Sequence, residues 1–458
     1  MVEVSEQTKL AFRNNTGKKT LKVFFPDLNL TIADENIIRD SLSLHESILE
    51  SDSIEFVGCI SSVLDLQFHG IQQKLKNERI EVSIQCNGTD VVPLFHGIVD
   101  SVKLEGQKKY KKITAYDELY TKGAIDVATW YNSLEFPITL KNLRDSLFNY
   151  IGLAQEDASL PNDDISIEKH YEPQTLKALN VIKALCQING AFGIVNRNGI
   201  FSYRILARLP VYEYIYPSEN LFPSENLFPG KNAEPEKAEE YFKFYRNLNY
   251  EEYKVKPVEC VKIRQSEDDE GVTYTEGQGT NKYIIQGNMF TYCLDSTTCT
   301  LMAKNIYAAV QAIQYHPFST NNIGCPWIEC GDSVSYCIND YYPDGDEPCS
   351  EEYPNYRVFY VFSRTLKGIM PLTDEYEAEG EEYQTEFITD LQTQIDTIKN
   401  SVKEEVEEQL NDHTYSRDEI DNMLEETGNG LKILSVTELP EITDENTIYL
   451  IRGEVTVN

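Results

Sequence analysis

Ten cysteines and six histidines are the side chains of this sequence with the clearest capacity for metal or nucleophilic chemistry. The densest set is Cys325, Cys330, Cys337 and Cys349, and no histidine lies among these four. None of them forms the C-x-x-C pair typical of zinc sites. The N-terminus lacks the basic start and apolar core of a signal peptide. We therefore expect free, buried thiols in a cytosolic product and no zinc site.

Carboxylates are the other candidates for chemistry. Asp344, Asp346 and Glu347 lie in an acidic, proline-containing segment over 340–355, but they miss the D-x-[DN]-x-[DN]-G spacing of calcium loops. A solvated hairpin loop is the favoured interpretation of this segment. With 75 acidic residues, some carboxylates lie close together in any fold, so no acid–base pair is assigned.

Motifs for catalysis are missing as well. The chain contains no G-x-S-x-G nucleophile elbow, no glycine-rich phosphate loop and no H-E-x-x-H zinc motif. We therefore predict a protein that is not an enzyme and that binds no cofactor.

A heptad pattern near the end of the chain predicts self-association. Its apolar residues, spaced three and four apart and then only four, are Ile388, Leu391, Ile395, Ile398, Val402, Val406 and Leu410. Isoleucine at both a and d positions favours trimers or tetramers over dimers. We call these seven residues the seam and predict that they form a trimeric coiled-coil stalk. A single amphipathic surface helix is the alternative, since the strict repeat spans little more than two heptads.

The strongly acidic composition limits the partners. A net charge of −34 argues against binding nucleic acid through its phosphates, because that mode needs clustered lysine and arginine. An acidic lumen through which DNA slides without sticking remains compatible with this charge, although a solubilising surface charge is the simpler interpretation. No apolar run approaches the roughly 18 residues that a membrane span needs.

The first half of the chain predicts two structured regions. Alternating apolar residues over 1–124, with turn signals at Asn87-Gly88, are typical of a small antiparallel barrel or sandwich. Over 125–210, two helical faces and a hairpin around Asn198-Gly199 predict a compact α+β unit. The segment 211–247 carries PSENLF twice in tandem, which is typical of an exposed connector.

The second half predicts a further β-rich region and a stalk. Region 248–380 has strand patterns interrupted by a helix, with an inserted segment at about 273–320. The stalk and a short helix capped by Ser416 occupy 381–430. The last residues, 431–458, predict a small β segment shaped as a hairpin.

Several segments, taken in order, resemble the tail hub or tail-associated baseplate proteins of tailed phages and prophages of Gram-positive bacteria. The segments are DSLSLHES at 40–47, FHGIVDS at 95–101, ITAYD at 113–117, VATWYNS at 127–133, PITLKNLRD at 137–145, CQINGAFG at 186–193, GCPWIECGD at 324–332 and LKGI at 366–369. YSRDEID at 415–421 resembles an element of phage fibre and tip proteins. The resemblance covers about residues 35–380, and the order of the segments carries it.

The resemblance implies a mainly β fold with two β-barrel domains of tail-hub type, separated by small α+β domains. It implies that three chains form a ring joining the tail tube and the distal tail protein to the tip, near the tape-measure protein. DNA would pass through this ring without specific binding. Larger relatives often carry a peptidoglycan-cleaving domain or a carbohydrate-binding extension after the hub. Only about 80 residues follow the second barrel here, so we expect a hub whose stalk docks a separate fibre or receptor-binding protein.

Two other functions remain open from the sequence. One is cell-wall hydrolysis by an unrecognised site in 248–372, and the other is saccharide binding by the tyrosine-containing loop 340–356. The expected location is the virion tail tip, after synthesis in the cytoplasm of the host bacterium.

Overall fold

The computed structural model describes residues 1–14, 17–49, 58–106, 109–170, 172–206, 240–242, 246–276, 281–292, 294–337, 356–381, 386–390, 432–436 and 447–451. For the last three ranges it describes the backbone alone. The chain divides into two compact units, residues 1–391 and 392–458. Within the described ranges, no helix is long and apolar enough to cross a bilayer.

The α-helices of the described residues are short and lie in the first unit. They are α1 (Glu6–Arg13), α2 (Glu118–Gly123), α3 (Ala128–Ser133), α4 (Leu140–Ile151), α5 (Ala178–Gln187) and α6 (Ser296–Val310).

Strands make up most of the regular structure. They are β1 (Lys19–Phe25), β2 (Leu30–Ile32), β3 (Ser43–Ser47), β4 (Val63–His69), β5 (Arg79–Cys86), β6 (Val92–Glu105), β7 (Tyr110–Tyr116), β8 (Ile138–Thr139), β9 (Ser166–Ile167), β10 (Phe192–Val195), β11 (Phe201–Arg204), β12 (Glu240–Phe242), β13 (Asn247–Tyr250), β14 (Cys260–Arg264), β15 (Val272–Thr275), β16 (Lys282–Gln286), β17 (Phe318–Ile323), β18 (Ser333–Cys337), β19 (Tyr356–Tyr360), β20 (Ser363–Lys367), β21 (Thr373–Ala378), β22 (Glu386–Asp390), β23 (Lys432–Val436) and β24 (Thr447–Ile451).

The largest sheet holds eleven strands in the order β13-β17-β21-β20-β3-β4-β7-β6-β5-β1-β2. The predicted alternation is confirmed on β4, where Leu64, Leu66 and Phe68 are buried and the residues between them are partly exposed. A side-chain period of two places one face of each such strand in the core.

One strand pair joins the two β-rich regions. In the antiparallel pairing of β3 with β20, Leu44 lies opposite Leu366 and Glu46 lies opposite Arg364. The prediction of two separate β-barrels is therefore wrong for the described residues, whose large sheet runs in one linear order with β13 and β2 at its ends. Alternation along a sequence identifies strands but does not say which distant strands pair.

The predicted α+β elements between 125 and 210 are confirmed. The side chain of Thr139 caps α4 by accepting the Asn142 N–H at 3.3 Å, as its position before the first apolar residue predicts. The strands β10 and β11 form the predicted hairpin. Gly199 takes a φ of +77° in its turn, a conformation that glycine adopts easily.

The inserted segment has its own small sheet, in the order β15-β14-β16-β22. The strands β14, β16 and β22 are parallel, and α6 packs against β14 and β15. This unit begins at β14 rather than near residue 273, while β17 belongs to the large sheet.

The beginning of the predicted stalk is a strand instead of a helix. Ile388, the first seam residue, lies in β22 opposite Ile284, because aromatic and β-branched neighbours such as Phe387 and Thr389 suit a strand. The other six seam residues, the duplicated hexamer and the loop 340–355 lie outside the described residues.

The described strands of the second unit, β23 and β24, pair in parallel. The predicted hairpin at the end of the chain is therefore wrong, because a hairpin is antiparallel. The apolar pattern gives strand positions but not their relative direction.

Candidate functional site: the 324–332 loop

The segment 324–332 is a mostly buried loop between β17 and β18. Its two glycines have geometric causes. A Cβ on Gly324 would lie 2.4 Å from the Cγ of Leu372, and Gly331 has a φ of +91°. The carboxylate of Asp332 accepts a backbone N–H from within the loop at 2.8 Å. The glycines and the aspartate of the GCPWIECGD segment are therefore needed to build this turn.

A buried ion pair anchors the loop to the large sheet. Arg364 donates from Nε to Asp374 Oδ1 at 2.8 Å and from Nη2 to Oδ2 at 2.7 Å. The same guanidinium donates to the backbone carbonyls of Ile328 and Cys325, at 2.5 and 3.0 Å. Asp374 also accepts the Cys325 N–H and the hydroxyl of Tyr376. Burial raises the pKa of Asp374, and the contacts with Arg364 oppose that rise.

A second arginine reaches the loop from the β10–β11 turn. Arg197 donates to the carbonyls of Pro326 and Ile328. Glu46 on β3 lies between the two arginines, 3.2 Å from Arg197 Nη2 and 3.1 Å from Arg364 Nη1. Charge-assisted hydrogen bonds of this kind are the stronger ones in proteins. Two guanidinium groups thus satisfy the carbonyls of a loop that has little regular structure of its own.

Trp327 connects the loop to the N-terminal helix. Its indole N–H donates to Glu240 Oε2 at 2.8 Å. Its ring meets that of Phe12 on α1 edge to face, with centroids 5.9 Å apart. Lys9 and Arg13 of α1 both pair with Glu240. The helix, the loop and β12 are therefore held by one apolar contact and one shared carboxylate.

One acidic residue of the loop, Glu329, is held ionised, whereas the loop's thiols are not. Although burial opposes ionisation, Arg197, the N-terminal ammonium group of Met1 and Arg204 hold the pKa of Glu329 below its usual value. The ammonium nitrogen lies 3.1 Å and Arg204 lies 2.9 Å from the Glu329 carboxylate. Burial raises the pKa of the Cys325 and Cys330 thiols well above the usual range. Protonated, buried thiols are poor nucleophiles and poor metal ligands.

The arrangement of charges suits structural support rather than catalysis. The carboxylates of the cluster pair with arginines, lysines and loop N–H groups, and both thiols are buried. Six separate elements meet at the loop, namely α1, β3, the β10–β11 turn, β12, β20 and β21. The cluster therefore fixes the N-terminal strands relative to the second β-rich region.

Sequence reasoning missed four ionic residues that meet beside the loop, namely Glu46, Arg197, Arg364 and Asp374. A signal for two of them was present. On β20, Arg364 and Leu366 occupy the alternate positions that are buried. On β21, Asp374 and Tyr376 do the same. A charged residue in the inward phase of a strand predicts a buried partner of opposite sign.

The four cysteines that were weighed and set aside as zinc ligands are described only in part. Cys325 and Cys330 are buried free thiols, Cys337 lies in β18, and Cys349 lies outside the described residues. Within the described part, no group of three or more histidine, cysteine or acidic residues has a geometry that could hold a metal ion.

A cavity of about 340 Å³ lies beside the cluster, among β1, β5, β6 and the β10–β11 turn. Its basic lining residues are Lys22, His96 and Arg197. Arg197 is engaged by Glu46 and by loop carbonyls, and His96 lies 3.5 Å from Glu118. Ser83 and Glu81 also line the cavity, and no hydrogen bond joins Ser83 to His96 in the described structure.

No known protein-family model matches the chain, and no curated protein matches it. Solved structures with a related backbone include three tail proteins. The tail protein of Neisseria meningitidis MC58 has 10% identity and a TM-score of 0.45, covering 80% of this chain and 98% of its own. The 43 kDa tail protein of prophage MuSo2 from Shewanella oneidensis has 9% identity and a TM-score of 0.46, and the match covers 79% of this chain and 98% of that protein. Prophage tail protein gp18 of Listeria monocytogenes EGD-e has 12% identity and a TM-score of 0.42, and the match covers 80% of this chain and 95% of that protein. At these identities and TM-scores, the similarity assigns neither a function nor a partner to this chain.

Proposed function

We propose that the chain is a non-enzymatic structural protein of a phage or prophage tail tip, acting as the hub of the baseplate. The observation that carries the proposal is the 324–332 loop. GCPWIECGD is one of the segments that resemble tail hubs, and it is the segment on which six distant elements converge. A protein that transmits force between a tube and a tip needs its parts fixed to one another, and a buried ionic cluster that joins several elements provides that rigidity.

Three copies form the hub in this proposal. The seam from Leu391 to Leu410 supplies the trimer contact, since isoleucine at a and d positions favours more than two strands. Closed cyclic symmetry then limits the assembly to a ring. The stalk beyond the ring docks a separate fibre or receptor-binding protein.

The ring joins the tail tube, the distal tail protein and the tape-measure protein to the tip, and DNA passes through its lumen. The net charge of −34 supports passage without sticking, because an acidic wall repels phosphates. The protein is then a virion component that is made in the host cytoplasm.

The test is the mass of the full chain in solution, measured by light scattering. A trimer has a mass of about 158 kDa, three times the chain mass of 52.5 kDa. The double substitution I395D/I398D places charge in the seam and should give a monomer. The matched control T393D/N400D adds the same charge at positions outside the heptad core and should leave the trimer intact. A stable dimer, or a trimer indifferent to I395D/I398D, would overturn the proposal.

Enzymatic activity is tested separately. We expect no clearing when the full chain is run in a zymogram on Gram-positive cell walls. Clearing that a single carboxylate or cysteine substitution abolishes would establish the hydrolase alternative instead.

A further inference from the structure

The β6–β7 hairpin is strongly basic in a strongly acidic protein. Five of the ten residues over 103–112 are lysines, whereas the whole chain carries a net charge of −34. Lys103, Lys109 and Lys112 are exposed. Such a concentration of one charge sign on one hairpin attracts a surface of the opposite sign.

The hairpin also presents a free strand edge. The strand β6 pairs with β5 only as far as Ile98, opposite Arg79. It continues to Glu105 with β7 on its other side. Among the described strands, none pairs with residues 100–105 on the side away from β7. Unpaired strand edges are places where another chain can add hydrogen bonds.

The lysines are unfavourably placed within the isolated chain. Lys103 lies directly opposite Lys112 on the same face of the hairpin, and like charges in that position destabilise a sheet. The nearby Glu105 carboxylate accepts a hydrogen bond from Gln67 at 2.8 Å and forms no ion pair with these lysines in the described structure. No ion pair to Lys103, Lys109 or Lys112 occurs among the described residues. A carboxylate surface brought against this face would relieve the repulsion.

Two exposed apolar side chains accompany the charges. Leu104 is 51% exposed and Tyr110 is 38% exposed. Tyrosine is enriched at protein interfaces, where its ring is buried and its hydroxyl finds a polar partner.

A complementary surface exists on the same chain. The turn between β14 and β15 carries four consecutive acidic residues, 267–270, and three of them are exposed. The Asp269 carboxylate accepts the N–H groups of Gln265 and Gly271, which lowers its pKa and keeps it charged. No side-chain ion pair to this turn occurs among the described residues.

We propose that the β6–β7 hairpin docks on the acidic 267–270 turn of a second copy of this chain. The inference rests on the proposed self-association and names the contact between neighbouring copies. Copies that each carry −34 repel one another, so a ring needs local contacts of opposite sign to form. A contact between two different surfaces, repeated from copy to copy, closes a ring.

The experiment is a charge swap in the full chain. K109E/K112E and E267K/D268K should each raise the midpoint concentration for trimer dissociation by about tenfold or more, the effect expected of a lost close charge pair. The four substitutions combined should return the midpoint to within about threefold of the wild type, because the pairs re-form with reversed signs. The control K74E/K76E makes the same charge change at two exposed lysines outside the hairpin and should leave the midpoint unchanged.

The readouts separate this inference from the proposed function. If the four substitutions combined weaken the trimer as much as the two double substitutions do in sum, the hairpin contact is wrong and the hub proposal still stands. An equal effect of K74E/K76E would also overturn it, by assigning the result to net charge. If K109E/K112E instead abolishes retention on double-stranded DNA without changing the mass, the hairpin binds nucleic acid and the inference is wrong. A chain that stays monomeric at all concentrations overturns both proposals.

Discussion

Arg364 and Asp374 form a two-pronged ion pair in which both side chains are completely buried. The two residues lie on neighbouring strands, and the guanidinium extends beyond the pair to two carbonyls of the 324–332 loop. Loss of one partner would therefore leave the other charge buried and would also release the loop.

We expect D374N to lower the free energy of unfolding by about 3–5 kcal/mol, because it leaves the Arg364 charge uncompensated in the interior. Urea unfolding followed by tryptophan fluorescence measures the change. The neighbouring E375Q removes an exposed carboxylate paired with Lys367 and should change stability by less than about 1 kcal/mol. Equal effects of the two substitutions would show that the buried pair has no special role.

The contact between Phe12 and Trp327 should hold α1 to the loop. F12A removes a fully buried ring and should cost about 3–5 kcal/mol. Leu10 lies on the same helix but is 64% exposed, so L10A should cost less than about 0.5 kcal/mol. Hydrogen exchange of the α1 amides checks the effect locally, and protection unchanged in F12A would contradict it.

Asp117 should make stability depend on pH. Burial raises the pKa of this carboxyl to about 7, although the N–H groups of Ser62 and Leu119 oppose the rise. The folded chain therefore keeps a proton that the unfolded chain loses near pH 4. Stability due to this group is present at low pH and is lost as pH rises toward 7, by at most about 1.4 kcal/mol per pH unit.

D117N removes the titrating group and keeps an acceptor for the cap of α2. We expect the difference in unfolding free energy between D117N and the wild type to change steadily from pH 5 to pH 7. Hydrogen bonds from Ser5 and Thr8 lower the pKa of Asp90, so its stability contribution is lost only below about pH 4. D90N should consequently show a constant difference over the same range, and a sloping one would refute the assignment to burial.

The thiols should be protected in the native state. Seven of the ten cysteines are free and buried in the described residues. The hydrogen bond with Cys59 raises the pKa of Cys186 well above the usual range, and burial raises it further. We expect at most three thiols per native chain to react with a thiol reagent within minutes, and all ten to react after unfolding in urea. More than three fast thiols in the native protein would show that the core opens readily.

Local elements were predictable because their signals are local. Thr139 before an apolar helical face predicted the cap of α4, and Asn198-Gly199 predicted the turn between β10 and β11. The alternation of Leu64, Leu66 and Phe68 predicted a strand with one buried face. Each of these depends on the conformational preferences of a few neighbouring residues.

Seam residue Ile388 shows where a local signal fails. Its spacing to Leu391 and Ile395 matches a heptad, but five residues from 386 to 390 join the edge of a sheet as β22. Backbone pairing with β16, about 100 residues earlier in the chain, decides its conformation, and a pattern of apolar residues cannot express that pairing.

The sequence by itself determined the mainly β character of the chain, the helices α4, α5 and α6, the turn between β10 and β11, the acidic charge and the segments that resemble tail hubs. Only the tertiary structure decided that β3 pairs with β20, that one sheet replaces two barrels, and that Glu46, Arg197, Arg364 and Asp374 meet at the 324–332 loop. Charged residues more than 300 positions apart, such as Glu46 and Arg364, carry no mark of each other in the sequence. They become partners because burial removes water from both side chains, and each charge is then compensated by the other.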